Sequence, residues 1–220
     1  MSTALGWNLI ALPSSPSAPT TIEYRANDIV GATLDTYTGE QQFYDWGQGF
    51  WEWSVAYRPM MEAEAELWIS FLLQLRGTLN VFQLGDPRKA SPRGSGAGAP
   101  FVNGQNQTGF SLITAGWTPS QMGVLLPGDY LQIGYRMYRC TAIVNSDGGG
   151  NATIPIWPSL REIPNGGAGS PPVFDSIVLN NCQGLWRLKS NMRSWNLDVD
   201  GFYRGFTFEI TEALGRGVGT

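Results

Sequence analysis

Trp51-Glu52-Trp53-Ser54-Val55-Ala56-Tyr57, followed by Arg58-Pro59-Met60-Met61-Glu62-Ala63-Glu64-Ala65-Glu66-Leu67-Trp68-Ile69-Ser70-Phe71-Leu72-Leu73-Gln74-Leu75-Arg76-Gly77, reads as a strand leading into a helix. Trp51, Trp53, Val55 and Tyr57 alternate with Glu52, Ser54 and Ala56, the period of two that gives a strand one apolar face. Pro59 then suits a helix start, and Glu62, Glu64 and Glu66 lie in the first turns, where the helix dipole favours negative charge. Met61, Ala65, Trp68, Leu72 and Leu75 recur at helical spacing, and Ile69 and Leu73 widen the stripe. Arg76-Gly77 supplies a cation and a stop. Residues 79–84 read as the next strand, so the unit is a sheet with one helix laid on it.

Outward from that unit the pattern is β. Residues 85–100 are turn formers with little bulk, the clearest linker in the chain. Residues 131–133, 136–144 and 152–157 then form short apolar runs separated by Gly134-Tyr135 and by Asp147-Gly148-Gly149-Gly150-Asn151. The three glycines lack the lysine and following helix of a phosphate-binding loop and read as a turn. A second Gly/Pro-rich stretch, residues 164–172, precedes an apolar run at 173–188, and residues 206–210 close with a clean alternation. Two linkers flanking a β block predict an insertion: residues 20–88 and 180–215 make one discontinuous domain, and residues 98–175 a small β-barrel inserted into it. Residues 1–19, with prolines and serines at 13–19, read as an extended arm. The fold class expected is mainly β, a sandwich or barrel domain with one α-helix plus the inserted barrel.

Composition narrows the function. The 220 residues contain no histidine and two cysteines, which removes Ser-His-Asp and Cys-His nucleophilic sites, His-bearing zinc sites and four-Cys zinc sites. Fourteen basic residues are scattered against eighteen acids, with no stripe of the kind that displaces counterions from nucleic acid. The start lacks a signal-peptide pattern and no apolar run reaches the ~18 residues of a membrane helix, so a soluble product made in a cytoplasm is expected, with no membrane partner. In a reducing compartment Cys140 and Cys182 read as two buried free thiols rather than a disulfide.

The chemistry left open is sparse. A two-carboxylate glycosidase would need an acid in an apolar setting, and Glu52 is the only acid flanked by tryptophans, although strand alternation turns it to the opposite face. Asp198 and Asp200 resemble part of a calcium loop without its later acidic ligand. Trp117, Tyr130, Tyr135, Tyr138 and Trp157 offer either core or a stacking platform for sugar rings, so a carbohydrate-binding module recognising a cell-surface glycan is the alternative reading, with Trp117 and Trp157 as its candidate glycan-facing aromatics. No cofactor and no metal are called for.

Three groups of residues carry a resemblance. Arg58-Pro59-Met60 with Ala63, Ala65, Trp68, Phe71 and Leu75-Arg76-Gly77, then Phe82-Gln83-Leu84-Gly85-Asp86-Pro87 and Ser91-Pro92-Arg93-Gly94, form the first. Leu126-Pro127-Gly128-Asp129-Tyr130-Leu131-Gln132-Ile133-Gly134 and residues 147–161, ending Trp157-Pro158-Ser159-Leu160-Arg161, form the second, and Gly184-Leu185-Trp186-Arg187-Leu188 the third. Over residues 40–212 the chain resembles distal tail proteins of long-tailed bacteriophages and prophages. The resemblance implies a non-enzymatic virion protein, a hexameric ring joining the tail tube to the tip or baseplate. It further implies contacts with tail tube protein, with a hub or tip protein and with the tape-measure protein, and assembly in the bacterial host cytoplasm into the virion tail. A ring subunit needs contact surfaces outside its own core. The N-terminal arm and the loop of residues 85–94, with Asp86, Arg88 and Arg93 for polar pairing, are the candidates.

Overall fold

A computed structural model describes residues 2–161 and 176–215. Over these residues the chain is mainly β, with about 45% strand, 8% helix and one α-helix. The Gly/Pro-rich stretch at 164–172, and the start of the run at 173–188, lie outside the described residues.

The strands are β1 (Ser2–Ala4), β2 (Trp7–Leu9), β3 (Thr21–Leu34) and β4 (Gln41–Ala56), then helix α1 (Glu62–Gln74) and β5 (Phe82–Gly85). β6 (Gly98–Val102), β7 (Ser111–Trp117), β8 (Tyr130–Ile133), β9 (Arg136–Cys140), β10 (Ala152–Trp157) and β11 (Ile177–Val178) follow. β12 (Gln183–Leu188), β13 (Asn196–Leu197), β14 (Tyr203–Arg204) and β15 (Thr207–Glu212) end the chain. Contacts divide it into two compact units, one of Met1–Arg25, Trp51–Pro87 and Gln183–Thr220, the other of Ala26–Phe50 and Arg88–Cys182.

The first unit is built on a five-stranded sheet in the order β3-β4-β15-β12-β5. β4 pairs antiparallel with β15, Trp53 opposite Ile210, and β12 pairs with both β15 and β5. The alternation expected of residues 51–57 is present, with Trp51, Trp53, Val55 and Tyr57 buried and the residues between them only partly covered. Trp53 packs on Trp186, ring centroids 4.3 Å apart, and meets Tyr24 edge-on at 5.2 Å. α1 lays Trp68 on Tyr57 at 4.0 Å, and Phe71 on Phe82 at 5.4 Å. The helix ends where Arg76 and Gly77 both take positive φ, 51° and 70°.

Two members of the expected helix stripe lie elsewhere. Met61 is exposed because it is the extended residue preceding the helix, and Leu73 is exposed because, at about 100° per residue, it falls on the flank, while Phe71 takes the buried place. The first nine residues also differ from an extended arm. Leu5 and Gly6, with φ of 53° and 80°, turn β1 into β2 through a two-residue loop. Ala4 is fully buried, Ile10 donates its N–H to the Val81 carbonyl at 2.8 Å, and the Ser15 hydroxyl bonds Glu64 at 2.9 Å. The segment therefore belongs to its own unit's packing.

In the second unit six strands run in the order β11-β8-β9-β10-β7-β6, and a bridge between Phe101 of β6 and Ser176 beside β11 nearly closes them into a barrel. β8 and β9 are joined by the two-residue loop Gly134-Tyr135. The glycine run at 148–150 is a turn, held by Asp147 Oδ1, which accepts N–H bonds from Gly149 and Asn151, both at 2.8 Å. The barrel is filled by Val102, Leu112, Leu125, Leu131, Tyr138 and Ile154 among others. No helix among the described residues is long and apolar enough to cross a membrane.

Candidate functional site

The residues singled out from sequence fall in different surroundings. Trp117 is 3% exposed and donates its indole N–H to Thr114 Oγ1 at 2.8 Å, so its ring is part of the barrel core. Trp157 is half-buried, and its indole N–H donates to Asp28 Oδ1 at 2.8 Å. Tyr130 and Tyr138 are buried. Glu52 pairs with Lys189 at 2.9 Å on the face away from Trp51 and Trp53. Asp198 and Asp200 are both engaged by the Arg204 guanidinium, the latter at 2.8 Å. Among the described residues no three His, Cys, Asp or Glu side chains gather as metal ligands. Cys140 and Cys182 are buried free thiols, and burial pushes Cys182 up to about 12.

The loop at 85–94 is more informative. Asp86 is buried and accepts the Tyr24 hydroxyl at 2.7 Å inside the first unit. Arg88 and Arg93 are exposed in the second unit. Arg93 lies against Asp129, Nε to Oδ1 at 3.4 Å, while the Asp129 carboxylate accepts the backbone N–H groups of Arg93, Gly94 and Leu126 at 2.9, 3.0 and 2.8 Å. Lys89 Nζ and Arg139 Cζ lie 5.4 and 5.5 Å from the Tyr130 ring centroid, within cation–π range. Lys89 of the loop and Arg139 of β9 thus flank the buried Tyr130 of β8, and Arg93 lies against the neighbouring Asp129.

Reading the sequence did not single out the outer ends of β3 and β4, residues 26–50. Here Leu34, Tyr37, Phe43 and Trp46 are 60%, 100%, 64% and 62% exposed, and Ile29, Val30 and Tyr44 are exposed as well. Soluble proteins rarely leave so many large apolar side chains together in water, and such a patch marks an interaction site. The tip is fixed by Asp35, whose carboxylate accepts the Tyr37 N–H at 2.8 Å and is thereby held below the usual carboxylate range. Two signals in the sequence could have found this ribbon: the Asp35-Thr36-Tyr37-Thr38-Gly39 turn between two β-prone runs, and the absence of any lysine or arginine from 26 to 50.

Trp157 and Gly49 hold the base of the ribbon. Gly49 is buried, and a Cβ there would stand 2.7 Å from Asp28 Oδ1 and 2.9 Å from the Trp157 ring. Only a glycine lets Trp157 reach Asp28. Gly49→Ala should therefore break the indole–carboxylate bond and destabilise by about 1–3 kcal/mol, the usual cost of overpacking. Hydrogen exchange checks it: protection at the ribbon base should fall while the barrel strands β8 and β9 keep theirs. Unchanged exchange at residues 27–30 would show that Trp157 does not anchor the ribbon.

No protein-family model matches the chain, and no curated protein matches it.

Proposed function

We propose that the chain is a structural, ring-forming subunit at the distal end of a bacteriophage tail, joining the tail tube to the tip or baseplate. The observation that carries this reading is the exposed aromatic ribbon of residues 26–50, a surface of the kind that marks an interaction site. The resemblance over residues 40–212 supplies the setting, and a chain made of a β unit with one helix and a second, barrel-like β unit suits it. The subunit's work is mechanical. It presents constant surfaces to copies of itself and to the tube, hub and tape-measure proteins, and no step of bond chemistry is involved.

Trp117 in the core leaves Trp157 alone of the two candidate glycan-facing rings, and its indole N–H is already committed to Asp28. The assembly reading therefore has more behind it than glycan recognition. Its test is location and form together. Gold-labelled antibody should mark one end of purified phage tails, and the purified full chain should form a discrete oligomer. Labelling along the whole tail, or none, would overturn the placement.

A further inference from the structure

β3 is paired on one side only, with β4, and beyond Arg25 it has neither the lysine nor the proline that commonly blocks edge pairing. Residues 28–34 are exposed except for half-buried Gly31, so this stretch offers an open edge as long as an ordinary strand. The two faces of the ribbon differ. A Cβ on Gly31 would stand 3.2 Å from the Trp46 ring and 3.8 Å from Tyr44 Cβ, so Gly31, Tyr44 and Trp46 share one face. With side chains alternating, Val30, Leu34, Phe43 and Asp45 belong to the other. One face is aromatic, and the other mixes apolar groups with a carboxylate. Asp28, Asp35, Glu40 and Asp45 give residues 26–50, which hold no base, a charge equal to the whole net −4 of the chain. None of the four acids has an ion pair among the described residues. Such charge repels nucleic acid and anionic lipid, and ribbon against ribbon would set acids against acids. The remainder of the chain is balanced, so a second copy brings no surplus of positive charge to the ribbon. Charge complementarity therefore selects an unlike, basic protein, and the open edge selects an extended segment of it.

We propose that the outer half of β3 receives a strand of a basic partner protein, one in which apolar side chains alternate with lysine or arginine. Backbone hydrogen bonds along residues 28–34 supply affinity. Alternation supplies orientation, because the partner's apolar side chains lie on the face of Tyr44 and Trp46 and its cations on the face of Asp45. For its setting this rests on the reading of the chain as an assembling tail subunit, and it gives the ribbon to an unlike neighbour rather than to the next copy.

The probe is the peptide acetyl-Val-Lys-Val-Lys-Val-Lys-Val-amide, added to the full-length protein. Saturable binding of one peptide per chain is expected, with slowed amide exchange at residues 29–34 and unchanged exchange in β8 and β9. Two controls carry the same charge. Val-Val-Val-Val-Lys-Lys-Lys cannot present two faces, and the first peptide with its central residues N-methylated cannot pair as a strand. Each should bind about tenfold more weakly or worse, since strand addition draws on both backbone pairing and alternation. Glu40→Gln with Asp45→Asn keeps the hydrogen-bonding shape of the ribbon and should weaken the first peptide by about threefold to tenfold, as for two exposed ion pairs. Equal binding of all the peptides, protection outside β3 and β4, no saturation, or a neutralised variant that binds like the parent would overturn the proposal. The mass of the protein is read alongside. An oligomer that takes up the peptide intact supports an unlike partner. An oligomer that dissociates as the peptide saturates makes the ribbon a contact between copies, which overturns the proposal and leaves the ring reading standing. A chain that stays monomeric and still binds the peptide at β3 overturns the ring alone.

Discussion

Replacing Trp53 by alanine lowers the unfolding free energy of the first unit by about 3–5 kcal/mol, the range for deleting a buried aromatic. Trp53 is fully buried on β4, packed on Trp186 and meeting Tyr24 edge-on, so removing it opens a cavity against both rings. One small offset exists: its indole N–H is buried without a hydrogen-bond partner among the described residues, so a part of the lost packing energy returns when that donor goes. Domains are stable by only about 5–15 kcal/mol, so the change is a large fraction of the whole. Trp46 on the same strand is the control. It is 62% exposed, and Trp46→Ala in the dissociated chain should shift stability by less than about 0.5 kcal/mol. Urea denaturation followed by tryptophan fluorescence and circular dichroism measures both. A Trp53→Ala loss below 1 kcal/mol would mean that the sheet core described above does not carry the unit.

The second large effect is at Asp129. Burial alone would raise this carboxyl, but the N–H groups of Arg93, Leu126 and Gly94, with the Arg93 charge, outweigh it and leave it below its ordinary value. A folded-state value below the unfolded one adds stability that is present above the unfolded pKa and lost as pH falls through the folded one. The barrel unit should therefore keep this contribution at neutral pH and lose it only below about pH 4, where an unfolded aspartate titrates. Asp129→Asn places an amide N–H₂ against at least one backbone donor and should cost about 3 kcal/mol at pH 7, by leaving a buried N–H without an acceptor. At pH 2.5 the gap between variant and parent should narrow. An equal gap at both pH values would show that the charge of Asp129 contributes nothing. The same substitution also loosens the 93–94 backbone, whose N–H groups Asp129 accepts.

How much of this was legible depended on whether a residue's neighbours in sequence are also its neighbours in space. The alternation of Trp51, Trp53, Val55 and Tyr57 and the helix after it are local patterns with one buried face, and both stand in the structure. The mainly β class and a barrel-like sheet followed from short runs between glycine turns. β1 and β2 were hidden because the Pro and Ser residues after them dominate the reading, while the turn rests on Leu5, a residue type that seldom takes positive φ. β3 was hidden for a different reason. Its outer half buries neither face, so it lacks the in–out alternation that marks a half-buried strand. Trp117 and Trp157 show the limit for sites. Both stand at the ends of strands, and only tertiary packing makes one a core ring and the other an anchor for Asp28.

Assembly is the central claim, and the mass of the purified full chain over a range of concentrations, with negative-stain images of the largest species, tests it most directly. The account predicts a discrete closed ring of about six times the 24.1 kDa of one chain, with a central opening. A monomer that persists to the highest concentration, with no ring in the images, would contradict it.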